Sequence, residues 1–277
     1  MFKLGQYYNF LKNISGHPGA LKAEKHPFVY SGNYQSWSQA KQATKGYDQP
    51  SILEKVVEAT RKVVQNPNLY ERDSVVFTEY EYSWPLLAHI LWVAHKNKGE
   101  LSLLDFGGSL GTTYFQNRLF TKDLKKVRWG VVEQKHFVEI GKNEFQTEQL
   151  KFFNTLEEGI DAISPQILLF SSSLQYLPAP IDIIRTTLEL NFEFIFLDRT
   201  AVLPGNEDRL TIQNVPASIY EASYPAWFFG EDKLINLFAQ KYDLIAKFPA
   251  FVGDKTYIEG DVLAGDKGFI FQRKGYQ

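Results

Sequence analysis

The sequence predicts an α/β fold: a largely parallel sheet with an antiparallel last strand, preceded by an N-terminal helical or irregular arm. Three observations predict it. From residue 100 onward, short apolar runs alternate with helical stretches, the pattern of strands joined by crossover helices. The last two apolar runs are separated only by the Gly- and Asp-rich stretch 253–267, so a hairpin closes the sheet and the final strand enters antiparallel. Residues before 84 lack this alternation.

Taken in order, residues 1–50 are rich in Gly, Ser, Asn, Gln and Tyr and are expected to form an irregular arm with one short helix. Ser51 is placed to cap a helix whose apolar stripe, Ile52, Val56, Val57, Ala59, Val63 and Val64, ends near Asn66-Pro67. Trp84-Pro85 opens a second helix running to about Lys96. Seven strands are expected at Leu101–Phe106, Val127–Val132, Lys151–Phe153, Gln166–Phe170, Phe194–Leu197, Tyr242–Phe248 and Gly268–Gln272. Helices are expected at Gly111–Thr121, Gln134–Glu144, Ile181–Glu189 and Glu231–Gln240. The division is thus an arm with helices over 1–98 and a sheet domain over 99–277, with an insertion at about 200–230. That insertion, Pro204–Gly230, is long for a connection, and such segments are usually lids or binding loops.

Composition narrows the function. Of 277 residues, 30 are Lys or Arg and 32 are Asp or Glu, for a net charge of −2. No basic run exceeds the pair Lys125-Lys126, so a general polyanion binder is excluded and no nucleic-acid partner is expected. With no cysteine, disulfides, thiolate nucleophiles and Cys-based metal sites are excluded. None of the histidines has a ligand-spaced partner, so no metal is expected; His89, within an apolar helix, reads as a core residue. The opening MFKLGQYYNFLKNISG lacks the apolar core of a signal peptide, and a cytoplasmic protein is the expectation. The most apolar stretch, Pro85–Ala94, is far shorter than the roughly 18–20 residues of a membrane span.

The strongest motif is Leu103-Leu104-Asp105-Phe106-Gly107-Gly108-Ser109-Leu110-Gly111-Thr112, where an apolar strand turns into a helix. Glycines let backbone approach a ligand without Cβ clashes, and a helix start near Gly111 offers unpaired N–H groups. Glu133 closes the next strand in Val131-Val132-Glu133-Gln134, where an acid can accept hydrogen bonds from ribose hydroxyls. Together they indicate an adenosine-containing cofactor. The dinucleotide pattern G-x-G-x-x-G is not met.

The spacing of Asp105, Gly107 and Gly111 resembles motif I of class I S-adenosylmethionine-dependent methyltransferases, D-x-G-x-G-x-G, with Ser109 at the middle glycine and Gly108 before it. The resemblance implies a Rossmann-like seven-stranded methyltransferase sheet with S-adenosyl-L-methionine as cofactor. By it, Asp105, Gly107, Gly108, Ser109 and Gly111 hold the methionine part, and Glu133 with Gln134 the ribose. Asn154 lies near the adenine edge, and Ser171 and Ser172 line the cofactor. A wider resemblance, over Tyr30–Trp37, Gly46–Asp48, Tyr70–Ser74, Phe170–Leu177, Leu197–Thr200 and Gln213–Pro225, is to a poorly characterised family of bacterial methyltransferases. That family is similar to enzymes encoded among surface-polysaccharide and other biosynthetic genes.

In open α/β sheets the ligand lies at the carboxyl ends of the strands, which makes Asp198, Arg199 and Tyr176 the catalytic candidates. Asp198 stands as a base or as a structural carboxylate paired with Arg199, and Arg199 as an anion clamp or an ion pair. Aromatic residues make up 15% of the chain, concentrated in the arm and the insertion. Tyr34, Trp37, Tyr47, Gln213, Tyr220 and Tyr224 are the substrate-binding candidates, with ring stacking on a small-molecule or saccharide acceptor. The expected activity is O-methylation by in-line transfer. Alternatives are an NAD(P)- or nucleotide-sugar-dependent oxidoreductase and a non-catalytic binding module of the same fold.

Overall fold

The structure is a computed structural model that describes residues 29–44, 49–72, 74–215, 222–251 and 255–276. The N-terminal part contributes a short strand β1 (Tyr30–Ser31), helix α1 (Trp37–Gln42) and helix α2 (Gln49–Gln65). Ser36 caps α1, its hydroxyl accepting from the Gln39 N–H at 3.2 Å. Because α2 begins at Gln49, Ser51 lies inside it and is not its cap. A proline is well suited to a first helical turn, and Pro50 sits there.

A hairpin absent from the sequence-based expectation follows, β2 (Tyr70–Arg72) with β3 (Val75–Phe77); three residues per strand are too few to show an alternation. Helix α3 (Trp84–Lys96) then buries Leu86, Leu87, Ile90, Val93 and Ala94, a single stripe at helical spacing.

The repeating units are β4 (Glu100–Phe106), α4 (Thr112–Thr121), β5 (Lys126–Val132), α5 (Lys135–Ile140) with a π-helical turn at Gly141–Phe145, β6 (Leu150–Phe153), α6 (Leu156–Ile163), β7 (Ile167–Ser171), α7 (Pro180–Glu189) and β8 (Phe194–Leu203). After them come β9 (Arg209–Val215), β10 (Ala222–Gly230), α8 (Glu231–Phe238), β11 (Tyr242–Pro249), β12 (Thr256–Ile258) and β13 (Val262–Arg273). Strands β6, β5, β4, β7 and β8 lie side by side in that order and all parallel. Strand β13 runs antiparallel beside β8, and β11 antiparallel beside β13.

The sheet has eleven strands where seven were expected, and β8, β10, β9, β1, β12 and β13 close into a ring of six. The segment 204–230, expected as a lid or loop, supplies β9 and β10 to that ring. Closure pairs edge N–H and C=O groups that an open sheet would leave to solvent. It depends on partners far apart in sequence, such as Tyr30 with Gln213 and with Ile258.

Helices cover both faces of the parallel part. On one, Val56, Ile90, Phe115 and Val138 from α2 to α5 pack on Leu103, Val131 and Phe196. On the other, Ile163, Ile184 and Leu234 from α6 to α8 pack on Leu104, Leu168 and Leu197. Burial on both sides is why these strands read as unbroken apolar runs rather than as alternations.

Strand β8 joins the two regions. Leu197 pairs with Phe269 and Thr200 with Lys267, so Asp198 and Arg199 together oppose Gly268 alone. Two residues against one is a β-bulge, and Arg199 adopts the left-handed conformation at φ 50°. The sequence-based reading ended this strand at Leu197; the bulge instead carries it through to Leu203.

Candidate functional site

The carboxyl ends of β4, β5, β7 and β8 gather most of the residues singled out in the sequence. The loop from β4 to α4 turns through three left-handed positions, Gly107 (φ 73°), Ser109 (φ 56°) and Gly111 (φ 96°). Two of its glycines are held by close contacts. A Cβ on Gly107 would lie 2.6 Å from Cβ of Ser173, and one on Gly108 would lie 2.7 Å from Cγ of Asp105. Gly111 is the N-cap of α4 and provides no side-chain cap to its first turn.

Asp105 is fully buried under this loop. Its carboxylate makes no hydrogen bond of good geometry, but the Trp129 indole N–H and the Thr113 side chain are close enough to interact with it; Ser173 Oγ and Gln175 Oε1 are also without a bond among the described residues. Burial pushes the Asp105 carboxyl up to about 7; the nearby Trp129 indole, the Arg199 charge and Thr113 work against the rise, and the Glu133 charge adds to it. Weakly satisfied polar groups in a buried place are costly, and Asp105 and Ser173 both lie directly against the loop, at Gly108 and Gly107.

Glu133 stands at the end of β5, half-buried, and its Oε2 accepts from the Gln134 N–H at 2.7 Å. Burial raises its pKa, and the N–H groups of Gln134 and Ser109 counter this. Loop and acid therefore meet at Ser109. Asn154 is at the end of β6 but is engaged in helix capping: its N–H donates to Glu158 Oε2 at 2.9 Å, while the Thr155 hydroxyl caps the Glu158 N–H.

The bulge carries a second polar cluster. Asp198 is 2% exposed, and its two oxygens accept from the hydroxyls of Ser83 and Ser171, each at 3.0 Å. Arg199 Nε lies 3.6 Å from the same carboxylate and donates toward Ser171 Oγ at 3.4 Å. Burial raises the Asp198 pKa, opposed by Arg199 and by the two serine hydroxyls. The Ser172 N–H donates to the Asp198 carbonyl at 2.9 Å, and Gln175 Nε2 to the Arg199 carbonyl at 3.0 Å.

Three further candidates meet beside this cluster. The Tyr176 hydroxyl bonds Gln213 Oε1 at 2.9 Å, and the Tyr176 and Tyr224 rings meet edge to face at 5.4 Å. Gln213 stands opposite Tyr224 on β10 and opposite Tyr30 on β1. Tyr34 and Trp37, both half-buried, sit where the arm crosses β9 and β10, with the Tyr34 N–H donating to the Leu210 carbonyl at 2.8 Å. Tyr47 and Tyr220 lie outside the described residues.

Sequence reasoning missed the contribution of residues 70–84. Ser83 reaches Asp198, the Glu81 carbonyl accepts from Gln116 Nε2, and the Glu71 carboxylate accepts from the Thr112 hydroxyl at the start of α4. Glu71 falls in the Tyr70–Ser74 segment of the wider resemblance, but no motif there gives it a role. Ser83, just before Trp84-Pro85, reads in sequence only as a helix flank. His89 is satisfied by the Pro85 carbonyl at 2.6 Å from Nδ1.

A cleft of 520 Å³ between α7 and α8, lined by Arg185, Leu188, Lys233 and Leu237 among others, lies on the outer helical layer away from these polar groups. Among the described residues no group of three His, Cys, Asp or Glu is placed to hold a metal ion, and no helix is long and apolar enough to cross a membrane.

No family model matches the chain, and no curated protein matches it in sequence. Among solved structures it is similar to the N-terminal domain of EvdMO1 crystallised in the presence of S-adenosylhomocysteine and D-fucose, with 8% identity, a TM-score of 0.48, and 82% of this chain and 98% of that one covered. It is also similar to an S-adenosylmethionine-dependent methyltransferase from Clostridium acetobutylicum, at 9% identity and a TM-score of 0.43 over 70% of this chain and 93% of that one. A third is LepI in complex with SAM, at 10% identity and a TM-score of 0.45, where 68% of this chain spans 46% of that one, less than half its length. Likenesses this distant do not decide what this chain does, and its function rests on its own residues.

Proposed function

We propose that the chain is a class I S-adenosylmethionine-dependent methyltransferase. On this reading β6, β5, β4, β7, β8, β13 and β11 are the seven-stranded Rossmann-like sheet, within the domain 99–277. The arm and helices of 1–98 and the ring of six strands then form the acceptor side. The observation that carries the reading is the tight Asp105–Gly111 loop, closed at Gly107 against Ser173 and at Gly108 against Asp105, with Glu133 at the end of the neighbouring strand.

These residues fit the cofactor. The loop has no room for side chains at Gly107 and Gly108, which pack against Ser173 and Asp105, and Glu133 offers a carboxylate to the ribose hydroxyls. Gln134, Asn154, Ser171 and Ser172 complete the proposed cofactor contacts. S-adenosylmethionine supplies a sulfonium-bound methyl group that is transferred by in-line displacement. The protein contributes alignment and exclusion of water.

Arg199 and Tyr176 face the acceptor, and Asp198 holds the bulge that aims Arg199. Both Asp198 oxygens are engaged by serine hydroxyls, which suits anchoring better than direct proton abstraction. The Tyr176, Gln213 and Tyr224 cluster, with Tyr34 and Trp37 on the arm that crosses β9 and β10, receives a small-molecule or saccharide hydroxyl. Gln213 presents a carboxamide and the tyrosines present ring faces, a combination suited to sugar-like ligands. Equilibrium binding of labelled S-adenosylmethionine tests the cofactor half. Glu133→Ala weakens it by roughly tenfold to a hundredfold through loss of hydrogen bonds to a charged acceptor; unchanged affinity would refute the assignment.

A further inference from the structure

One buried carboxamide joins the two strand ends that carry most of the polar groups of the proposed site. Gln175 lies in a short 3₁₀ turn, Leu174–Tyr176, just past β7, and is 3% exposed. Its Nε2 donates to the Ser172 hydroxyl at 3.2 Å and to the Arg199 carbonyl at 3.0 Å. Both recipients are left-handed, Ser172 at φ 57° and Arg199 at φ 50°. That conformation is unfavourable for a residue with a Cβ and persists only where the surroundings impose it.

Two features tie the carboxamide to this place. Among the described residues Arg199 has no register partner on β7, β10 or β13, so Gln175 gives its carbonyl the donor that the bulge takes away. Gln175 Oε1, in contrast, has no hydrogen-bond partner among the described residues. Turning the amide over would set that oxygen against the Arg199 carbonyl, acceptor against acceptor, so the orientation follows from what Nε2 holds. The turn itself reaches both halves of the site: Ser173 packs against Gly107, and the Tyr176 hydroxyl bonds Gln213 Oε1 at 2.9 Å.

We propose that Gln175 is a positioning residue that locks the turn after β7 to the bulge of β8, and so keeps Ser172 and Ser173 at the cofactor and Arg199 at the acceptor. This rests on the cofactor reading above and adds the residue that ties the two halves of that site together. Calorimetric titration of the full chain with S-adenosylhomocysteine, with urea unfolding of the same variants beside it, tests the role. Gln175→Met keeps the length of the side chain and removes both donors. It is expected to bind S-adenosylhomocysteine roughly tenfold more weakly while folded, the scale of lost neutral hydrogen bonds. Gln175→Glu is the conservative variant: protonated, it donates to the Arg199 carbonyl, and ionised, it cannot.

Burial favours the protonated form of such a carboxyl. Gln175→Glu is therefore expected to bind within about threefold of wild type at about pH 5 and roughly tenfold or more weakly at about pH 8, whereas Gln175→Met shows the same loss at both. Each variant is compared with wild type at the same pH, because Asp105, Glu133 and Asp198, all raised by burial, titrate in every chain. If Gln175→Met does not fold, the pH profile of Gln175→Glu carries the test alone. A lower denaturant midpoint with unchanged S-adenosylhomocysteine affinity, or a loss in Gln175→Glu that is the same at both pH values, makes Gln175 a merely structural residue and overturns the proposal. A wild-type chain that does not bind S-adenosylhomocysteine overturns the cofactor reading itself, a result distinct from a wild type that binds it while the variants change nothing.

Discussion

At Asp105 the needs of folding and of binding oppose each other. Its carboxyl, ordinarily near 3.8, is pushed up to about 7 by burial. A group that holds its proton more tightly when folded stabilises the fold at low pH and loses that contribution as pH rises through the folded pKa. The ligand-free chain therefore becomes less stable between about pH 4 and pH 7 on account of this group. Asp105→Asn, neutral and of the same shape, is expected to raise the unfolding free energy at pH 8 by on the order of a few kcal/mol and to change it far less at pH 4. Urea unfolding at the two pH values measures this, and equal effects at both would contradict it. Asp105 was legible in the sequence because a strand-end acid followed by glycines is a local pattern. Glu71 and Ser83 were not, since each meets the site across a long loop in the chain and nothing in its own neighbourhood marks the encounter.

Among the elements, β8 and β10 show how the site is mounted. The Asp198–Arg199 bulge opposite Gly268 lets one strand serve the parallel sheet up to Asp198 and the closed ring from Thr200 onward. Where β10 pairs with the end of β8, Gly230 lies against the backbone of Asn206 and Glu207; a Cβ there would lie 2.5 Å from the Asn206 carbonyl carbon and 2.7 Å from the Glu207 nitrogen. Backbone cannot swing aside as a side chain can, so Gly230→Ala costs about 1–3 kcal/mol, read as a lower denaturant midpoint with an unchanged slope. An unaltered midpoint would mean that this turn is looser than the geometry shows. The parallel strands could be read from sequence because burial on both faces leaves continuous apolar runs such as Ile167–Phe170 and Phe194–Leu197. The ring strands could not. β1 has two residues and β12 three, while β9 and β10 pair mainly with each other, in a segment whose length alone read as a lid or loop.

For the whole molecule, a near-neutral chain of 277 residues divides its labour between a sheet end that carries acids and glycines and a ring that carries tyrosines. Residues 70–84 tie the two parts of the chain together through Glu71 on α4 and Ser83 on β8. The aromatic excess seen in composition finds a place here, with Tyr176 and Tyr224 in contact at the junction of sheet and ring. The central claim is that the loop at Asp105–Gly111 binds the S-adenosyl group of a methyl donor and not a dinucleotide. Thermal unfolding with and without ligand tests it most directly. At about 100 times its Kd a ligand of the folded state adds about 2.7 kcal/mol, several degrees in Tm for a chain of this size. S-adenosylmethionine and S-adenosylhomocysteine are each expected to raise Tm by that amount and NAD to leave it unchanged; no shift with either S-adenosyl compound at millimolar concentration, or a shift with NAD alone, would contradict the account.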